Sequence, residues 1–143
     1  MESSLEQGHF LLRIENILFV VAAIVSALML LWPMVRRGAK EVDTRAAIKL
    51  INHQDALVLD VRDDSDYIEG HLPNSMHIAT EKIEERWVEI QKFKERPILI
   101  IYSSGIRSHH ASKVLIKNGF TKVHNLMGGI DTWKRASLPI VKR

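Results

Sequence analysis

The chain has 143 residues, of which 46% are hydrophobic and 26% charged, and it contains no cysteine. This length suits one domain with a short appendage. The lack of cysteine excludes disulfide scaffolds, thiolate metal sites and every reaction that uses a cysteine nucleophile. The net charge of +3 is too small to indicate a nucleic-acid partner, and none is predicted.

The first element is an apolar run over residues 17–35. Its 19 residues carry no charge, and Ser26 is the only hydroxyl among them. A helix of this length rises about 28 Å, close to the roughly 30 Å of bilayer hydrocarbon. A cleaved signal peptide would have a basic start and a shorter run, and a core helix would show polar residues at helical spacing. The run predicts one transmembrane helix after a short N-terminal segment, residues 1–16.

Basic residues follow this run directly. Arg36, Arg37 and Lys40 lie after it, whereas only Arg13 precedes it. The positive-inside rule assigns the side richer in Lys and Arg to the cytoplasm. We therefore expect a single-pass protein with its N-terminus outside and its C-terminal part cytoplasmic. Residues 36–40 form a basic juxtamembrane linker, and its cations are expected to contact the lipid bilayer.

Short apolar runs separated by turn signals occupy residues 41–143. Asp43 or Thr44 is expected to cap a first helix that carries Leu50 on its inner face. Strands are predicted at residues 56–61, 75–78, 97–102 and 121–126, and later helices at 81–93, 108–118 and 130–136. Because strands and helices alternate, the sequence predicts one three-layer α/β domain with a largely parallel sheet.

The clearest buried strand, residues 97–102, is followed by a Ser/Gly loop and then a helix. Ligands of parallel α/β domains collect at the carboxyl ends of strands, next to helix N-termini. Backbone N–H groups, the helix dipole and Arg107 would form an anion cradle there. A plain Ser/Gly turn without a ligand is the alternative. The candidate anion-binding loop consists of Ser103, Ser104, Gly105, Ile106, Arg107 and Ser108.

Several segments together carry a family resemblance. They are VLDVR at residues 58–62, YIEGHLPNS at 67–75, PILIIYSSGIRS at 97–108, GF at 119–120, NLMGGIDTW at 125–133 and LP at 138–139. In this order and spacing, the chain resembles the rhodanese-like family over residues 41–140. The resemblance implies a five-stranded parallel sheet whose six-residue active loop links a central strand to a helix. In active members that loop opens with a cysteine, which carries a persulfide and transfers sulfur from thiosulfate or another donor.

The loop departs from the family pattern at its first position. Aligning Gly105 and Arg107 with the usual Cys-x-x-Gly-x-Arg pattern puts Tyr102 at the cysteine position, whereas a loop one residue shorter would put Ser103 there. Sulfur transfer needs a thiolate that attacks a sulfane sulfur and then holds it as a persulfide. A phenol or a hydroxyl cannot do this. Because Tyr102 stands at the usual cysteine position, no catalytic residue is assigned.

Five further residues are assigned structural support: Asp60, Arg62, His71, Gly128 and Gly129. The resemblance implies that Asp60 and Arg62 brace loops by hydrogen bonding and ion pairing. It also implies that the two glycines, which permit a turn, lie near the active loop. His71 is expected to support a turn after Gly70.

Two functions remain open. The favoured one is a non-catalytic rhodanese-like module at the cytoplasmic membrane face, which binds a protein partner or a small anion. Its partners would be the lipid bilayer, other membrane or cytoplasmic proteins, and that anion. The alternative is a sulfurtransferase that acts with a partner's thiol. No cofactor or metal is expected, because the adjacent residues His109 and His110 point in different directions on a helix.

Overall fold

The computed structural model describes residues 2–35, 38–103 and 106–142. It divides into two compact units, Met1–Arg37 and Gly38–Arg143. The first unit is helix α1, Glu2–Val35. Its stretch Arg13–Trp32 is long and apolar enough to cross a membrane. The predicted N-terminal segment, residues 1–16, is helical from Glu2 onward, since most of its residues are good helix formers.

In its described residues, the second unit contains five strands and five α-helices. The strands are β1 (Lys40–Val42), β2 (Leu57–Asp60), β3 (Met76–His77), β4 (Ile98–Ile101) and β5 (Val123–Leu126). The helices are α2 (Thr44–Gln54), α3 (Asp64–Glu69), α4 (Ile83–Arg86), α5 (Ile106–Lys117) and α6 (Gly129–Arg135), with 3₁₀ segments at Thr80–Lys82 and Trp87–Phe93. The strand order is β1-β5-β4-β2-β3, and each neighbouring pair is parallel. These features confirm the predicted α/β class with a five-stranded parallel sheet.

Strand β4 shows why the domain has three layers. Its side chains alternate between two buried clusters, with Ile98 and Ile100 on one face of the sheet and Leu99 and Ile101 on the other. The first cluster includes α5 residues, and the second includes residues of α2 and α6. Both faces of the sheet are therefore covered, which is why this strand is a continuous apolar run.

Helix α2 begins at the cap that the sequence suggested. Asp43 has an extended backbone, and its Oδ1 accepts a hydrogen bond of 2.7 Å from the backbone N–H of Ala46. This bond satisfies one of the N–H groups that every helix start leaves open. Of the two candidates, Asp43 is thus the cap, and Thr44 is the first helical residue.

The predicted single helix over residues 81–93 is wrong. The segment forms a 3₁₀ turn, one turn of α-helix at Ile83–Arg86, and a second 3₁₀ stretch at Trp87–Phe93. The apolar residues Trp87, Ile90 and Phe93 are three residues apart, and a 3₁₀ helix places such residues on one side. The spacing fits both helix types, so the pattern alone did not distinguish them.

Two elements were not predicted, namely strand β1 and helix α3. Strand β1 has three residues and begins at Lys40, which had been assigned to the linker. Helix α3, Asp64–Glu69, occupies only six residues. Both are too short to show an apolar period. The predicted strand over residues 75–78 is reduced to the pair Met76–His77 at the sheet edge.

Candidate functional site

The candidate site begins where β4 ends, at the carboxyl edge of the sheet. Tyr102 and Ser103 follow β4, and helix α5 begins at Ile106. The backbone carbonyl of Tyr102 accepts a hydrogen bond of 3.0 Å from the N–H of Ile130, in the first turn of α6. The start of the loop is therefore attached to the segment that follows β5.

Tyr102 itself is a core residue. Only 8% of its surface is exposed, and its side chain belongs to the same buried cluster as Ile98 and Ile100. Because side chains alternate along a strand, Tyr102 continues the apolar series of that face beyond the end of β4. The residue that the sequence predicts at the family's cysteine position is thus part of the buried cluster that includes Ile100 and Ala111.

Gly129 packs directly against the loop. Its φ is +59°, and a Cβ atom at this position would overlap the carbonyl oxygen of Tyr102 and lie 3.2 Å from that of Ser103. Gly128, with φ +74°, is blocked by the side chain of Thr132 in the same way. Glycine is required here for two reasons, a left-handed backbone and a close approach to the loop. The structure therefore brings the predicted Gly pair next to the predicted loop.

Ser103, the alternative residue for the cysteine position, is exposed, and its Oγ lies 3.4 Å from Oδ2 of Asp66 in α3. Sequence reasoning missed Asp66 as a neighbour of the loop, because nothing in the chain signals a contact between residues so far apart. Of the other predicted loop residues, Ser104 and Gly105 lie outside the described residues. For Ile106, Arg107 and Ser108 the described part is the backbone, which forms the first turn of α5.

Asp60 and Arg62 form a buried ion pair at the end of β2. Asp60 is fully buried, and the Nη2 of Arg62 donates to its Oδ2 at 2.7 Å. The Nε of Arg62 adds bonds of 3.0 and 3.1 Å to the same carboxylate. Nη2 also donates to the carbonyl of Gly70 at 2.7 Å. The pair thereby connects the end of β2 to the turn that follows α3.

His71 occupies that turn and is buried. Its Nδ1 donates to the carbonyl of Tyr67 at 2.7 Å. Its backbone N–H and C=O each form a 2.9 Å bond with Val141. The ring of Tyr67 stacks between the rings of His71, at 3.8 Å, and His77, at 4.4 Å. Sequence reasoning did not find this stack, because its rings come from helix α3, from the turn after it and from strand β3.

The described residues contain no group of three or more His, Asp and Glu side chains arranged to hold a metal ion. His109 and His110 are both exposed at the start of α5. The Nε2 of His110 lies 3.6 Å from Oε1 of Glu84. Among the described residues, these two histidines thus do not converge on a common metal site.

Strand β5 carries two polar side chains next to β4. The Nδ1 of His124 and the Oδ1 of Asn125 are buried and have no hydrogen-bond partner within the described part of the chain. Burial lowers the pKa of His124 from its ordinary value of 6.5, and the nearby cation of Lys40 lowers it further. Both effects disfavour the charged imidazolium, so His124 is held neutral near pH 7.

The comparisons with known proteins agree with this geometry. The model of the rhodanese-like domain family matches residues 43–136. The uncharacterized protein YibN of Escherichia coli K12 is 31% identical over 123 residues, which cover 85% of this chain and 86% of YibN. Thiosulfate sulfurtransferase GlpE of Coxiella burnetii is 34% identical over 95 residues, which cover 66% of this chain and 87% of GlpE. Since 123 residues exceed the unit Gly38–Arg143, the similarity to YibN extends into α1.

Solved structures match the second unit. A rhodanese-related protein from Thermoplasma volcanium superposes with a TM-score of 0.62 at 27% identity, covering 73% of this chain and 99% of that one. The polysulfide-sulfur transferase homodimer of Wolinella succinogenes gives a TM-score of 0.62 at 27% identity, covering 73% and 80%. Together with the family match over most of the second unit, these similarities show that the chain belongs to the rhodanese-like domain family.

Proposed function

We propose that the chain is a membrane-anchored rhodanese-like module that does not transfer sulfur. It binds a protein partner or a small anion at the cytoplasmic membrane face. The observation that carries the proposal is the position of Tyr102, which is aligned with the family's cysteine and packed into the core. With no cysteine in the chain, no side chain can form the persulfide that sulfur transfer requires.

The anchor is α1. Its stretch Arg13–Trp32 has the length and hydropathy of a membrane span. Arg36 and Arg37 follow it in the sequence, which by the positive-inside rule supports a cytoplasmic domain. The similarity to YibN, which reaches into α1, supports a function that needs both units.

The binding role rests on what remains at the carboxyl edge of the sheet. Helix α5 begins at Ile106, a few residues after β4 ends, and helix N-termini favour anions. Asp60 and Arg62 still hold the neighbouring turn through Gly70. Tyr102 occupies the core below the loop, so a ligand would bind to the loop's outer surface, where Ser103 is exposed.

A sulfur-transfer assay tests the lack of catalysis. Residues 38–143 suit it, because they form their own compact unit and the domain matches nearly the whole Thermoplasma volcanium chain. We expect no transfer from thiosulfate to cyanide, and none to an added thiol such as glutathione. Coxiella burnetii GlpE serves as the positive control. Measurable turnover that Arg107→Ala abolishes would overturn the proposal.

The second candidate function, sulfur transfer together with a partner's thiol, is favoured by the 34% identity with GlpE. In that case the partner's thiolate would attack the sulfane sulfur of a thiosulfate bound at the loop, form a persulfide and release sulfite. Crosslinking of the protein in its membrane would first identify a membrane or cytoplasmic partner. Thiosulfate consumption that appears only when the protein and that partner are mixed would support this candidate over the non-catalytic module.

The Tyr102→Cys variant tests whether the loop still binds anions. If it does, the new thiolate should displace sulfite from thiosulfate and gain one sulfur atom, which mass spectrometry detects. Tyr102→Ser is the matched control, because it opens the same space without a thiol. If Tyr102→Cys gains no sulfur while remaining folded, thiosulfate does not reach position 102, and anion binding inside the loop is removed from the proposal.

A further inference from the structure

The edge of the sheet opposite the loop has a distinct surface. We call it the amino edge, because strands begin there, and define it by the segments 53–56, 92–97 and 117–122 that lead into β2, β4 and β5. These segments contact one another. The Nη2 of Arg96 lies 2.9 Å from Oδ1 of Asp55, and the Nζ of Lys122 donates to the carbonyl of Glu95 at 3.1 Å. The amino edge is therefore one continuous surface.

Cations dominate this surface. Its basic residues are Lys92, Lys94, Arg96, Lys117 and Lys122, and its acidic residues are Asp55 and Glu95. Among the described residues, the only ion pair on this surface is the one between Arg96 and Asp55. The amino edge thus has a net positive charge, although the chain as a whole is nearly balanced.

Aromatic rings lie directly beneath these cations. The ammonium of Lys92 is 5.0 Å from the ring centre of Phe93, and the guanidinium carbon of Arg96 is 4.8 Å from the same ring. The ammonium of Lys94 is 5.2 Å from the ring of Trp87 and 5.9 Å from that of Phe120. Rings support the stems of these side chains while the charged groups stay at the surface. The rings, which are buried or packed against the core, hold the basic groups at the surface, where anionic headgroups would attract them.

The chain also enters the domain at this edge. Lys40 is the first residue of β1, it pairs with His124 of β5, and β1 is parallel to β5. Ala39 already packs against the core. Four residues, 36–39, separate Val35 from Lys40, and four residues reach at most about 14 Å when fully extended. Along the sequence, the chain therefore passes from the apolar stretch to the amino edge within a few residues.

The carboxyl edge has the opposite character. Its exposed or half-buried acidic residues are Asp63, Asp64, Asp66, Glu69 and Asp131, and they outnumber the basic residues Lys82 and Arg107 at the same edge. An anionic leaflet would repel this edge and attract the amino edge. The two edges therefore give the domain a polarity that fits one orientation on a membrane.

We propose that the amino edge docks on anionic lipid headgroups through Lys92, Lys94, Lys117 and Lys122. The inference rests on the proposed anchoring by α1 for its location, and it names the lipid surface as the partner of a defined face. Docked in this way, the domain presents the β4–α5 loop to the cytoplasm, where a partner can reach it.

The docking is tested first with the isolated domain, residues 38–143, and lipid vesicles. We expect binding to phosphatidylcholine vesicles that contain about 30% phosphatidylserine, no binding to pure phosphatidylcholine, and release by high salt. Each lysine removed should weaken binding about five-fold. The Lys92→Gln/Lys122→Gln variant should therefore bind about 25-fold more weakly.

The matched control is Lys82→Gln/Lys142→Gln, which removes the same charge away from the amino edge. Lys82 follows Thr80, which is bonded to Val61 beyond the end of β2, and Lys142 follows Val141, the partner of His71. Equal losses in the two variants would overturn the proposal, as would equal binding to both kinds of vesicle. Tighter binding to a DNA duplex than to the anionic vesicles would also overturn it.

A second measurement uses the full chain in proteoliposomes. A membrane-impermeant amine reagent should label Lys92, Lys117 and Lys122 several-fold less in phosphatidylserine bilayers than in phosphatidylcholine bilayers, while Lys82 stays unchanged. If α1 inserts into the bilayer but the lysines are not protected from labelling, the proposal that the amino edge docks on lipid is overturned, and the proposal that α1 anchors the chain is kept. If α1 does not insert, the anchoring fails, and the vesicle assay with the isolated domain still decides whether the amino edge binds lipid.

Discussion

Strands β2 and β4 are neighbours in the sheet, and they end differently. Each has four buried residues, and they pair in parallel from Leu57 with Ile98 to Asp60 with Ile101. Strand β2 ends in a carboxylate that Arg62 satisfies through several hydrogen bonds. Strand β4 continues into an aromatic ring that packs in the core. The first end carries a buried ion pair, whereas the second carries a buried aromatic side chain.

The difference teaches that the support of this site and its chemistry are separable. Asp60 and Arg62 stabilise a turn through bonds that do not depend on the side chain at position 102. A buried charge must keep its partner, because removing one member leaves the other uncompensated. The residue after β4 carries no charge, and its large ring packs into the core cluster of that face.

The largest expected effect is at the end of β2. Asp60→Ala leaves the buried guanidinium of Arg62 without its carboxylate. Breaking a buried ion pair in this way costs about 3–5 kcal/mol. We therefore expect the free energy of unfolding of residues 38–143, measured by urea denaturation, to fall by that amount.

The control for this prediction is Glu85→Ala, which removes an exposed carboxylate from α4. It should change the free energy of unfolding by less than about 0.5 kcal/mol. If Asp60→Ala were as mild as Glu85→Ala, the pair would not stabilise the end of β2 and the contrast with β4 would disappear.

An intermediate effect is expected at the end of β4. Gly129→Ala places a methyl group against the carbonyl of Tyr102 and strains a backbone with φ +59°. Together these costs should lower the free energy of unfolding by at least about 2 kcal/mol.

Gly119→Ala separates the two causes. Its φ is +95°, but a Cβ atom there meets only the flexible side chain of Lys94, at 3.5 Å or more. It should therefore show the backbone strain alone, about 1–2 kcal/mol. The free energy of unfolding lost in Gly129→Ala should exceed that lost in Gly119→Ala. If it does not, the loop shifts to make room for the added methyl group, and its close approach to Gly129 is not a constraint.

The smallest effect concerns the strand on the other side of β4. Because the pKa of His124 is lowered in the folded chain, the unfolded chain binds more protons as the pH falls through 6.5. This group therefore contributes stability above pH 6.5 that is lost below it. His124→Gln should make the free energy of unfolding depend less on pH between neutrality and about pH 5.

The direct measurement for His124 is an NMR titration of its ring protons. The midpoint should lie below 6.5, and Lys40→Gln should move it upward, since Lys40 is the second cause of the shift. A midpoint at or above 6.5 would contradict the burial argument. The strands on either side of β4 would then no longer contrast in the way proposed. In that contrast, Asp60 is ion-paired with Arg62, whereas the half-buried ring of His124 has an Nδ1 atom without a hydrogen-bond partner among the described residues.

Most of the fold could be predicted from local patterns. The runs 57–59 and 98–101 are apolar throughout, which indicates strands covered on both faces. Strand β1 could not be found in this way, because pairing with β5, and not its own sequence, makes Lys40–Val42 a strand. The 3₁₀ stretch Trp87–Phe93 has a spacing that an α-helix shares, so its type depends on tertiary packing.

The site was predictable only in part. Tyr102 and the Gly pair stood in a recognisable motif, and the structure places Gly129 against Tyr102. The approach of Asp66 to Ser103 depends on how α3 folds back, and the sequence carries no signal for it. The stack on Tyr67 likewise combines rings from α3, the following turn and β3, so it is a product of the fold and not of a local pattern.

The hydrogen bond from Ile130 to Tyr102 has a consequence for local opening. The bond joins the first turn of α6 to the start of the β4–α5 loop. Tyr102 therefore cannot leave its position unless the start of α6 also loosens, because their backbones share this bond. Segments linked in this way open as one cooperative unit. The amide proton of Ile130 then exchanges with solvent only as often as the loop opens. The exchange rate of this one amide in α6 therefore reports how often the β4–α5 loop opens.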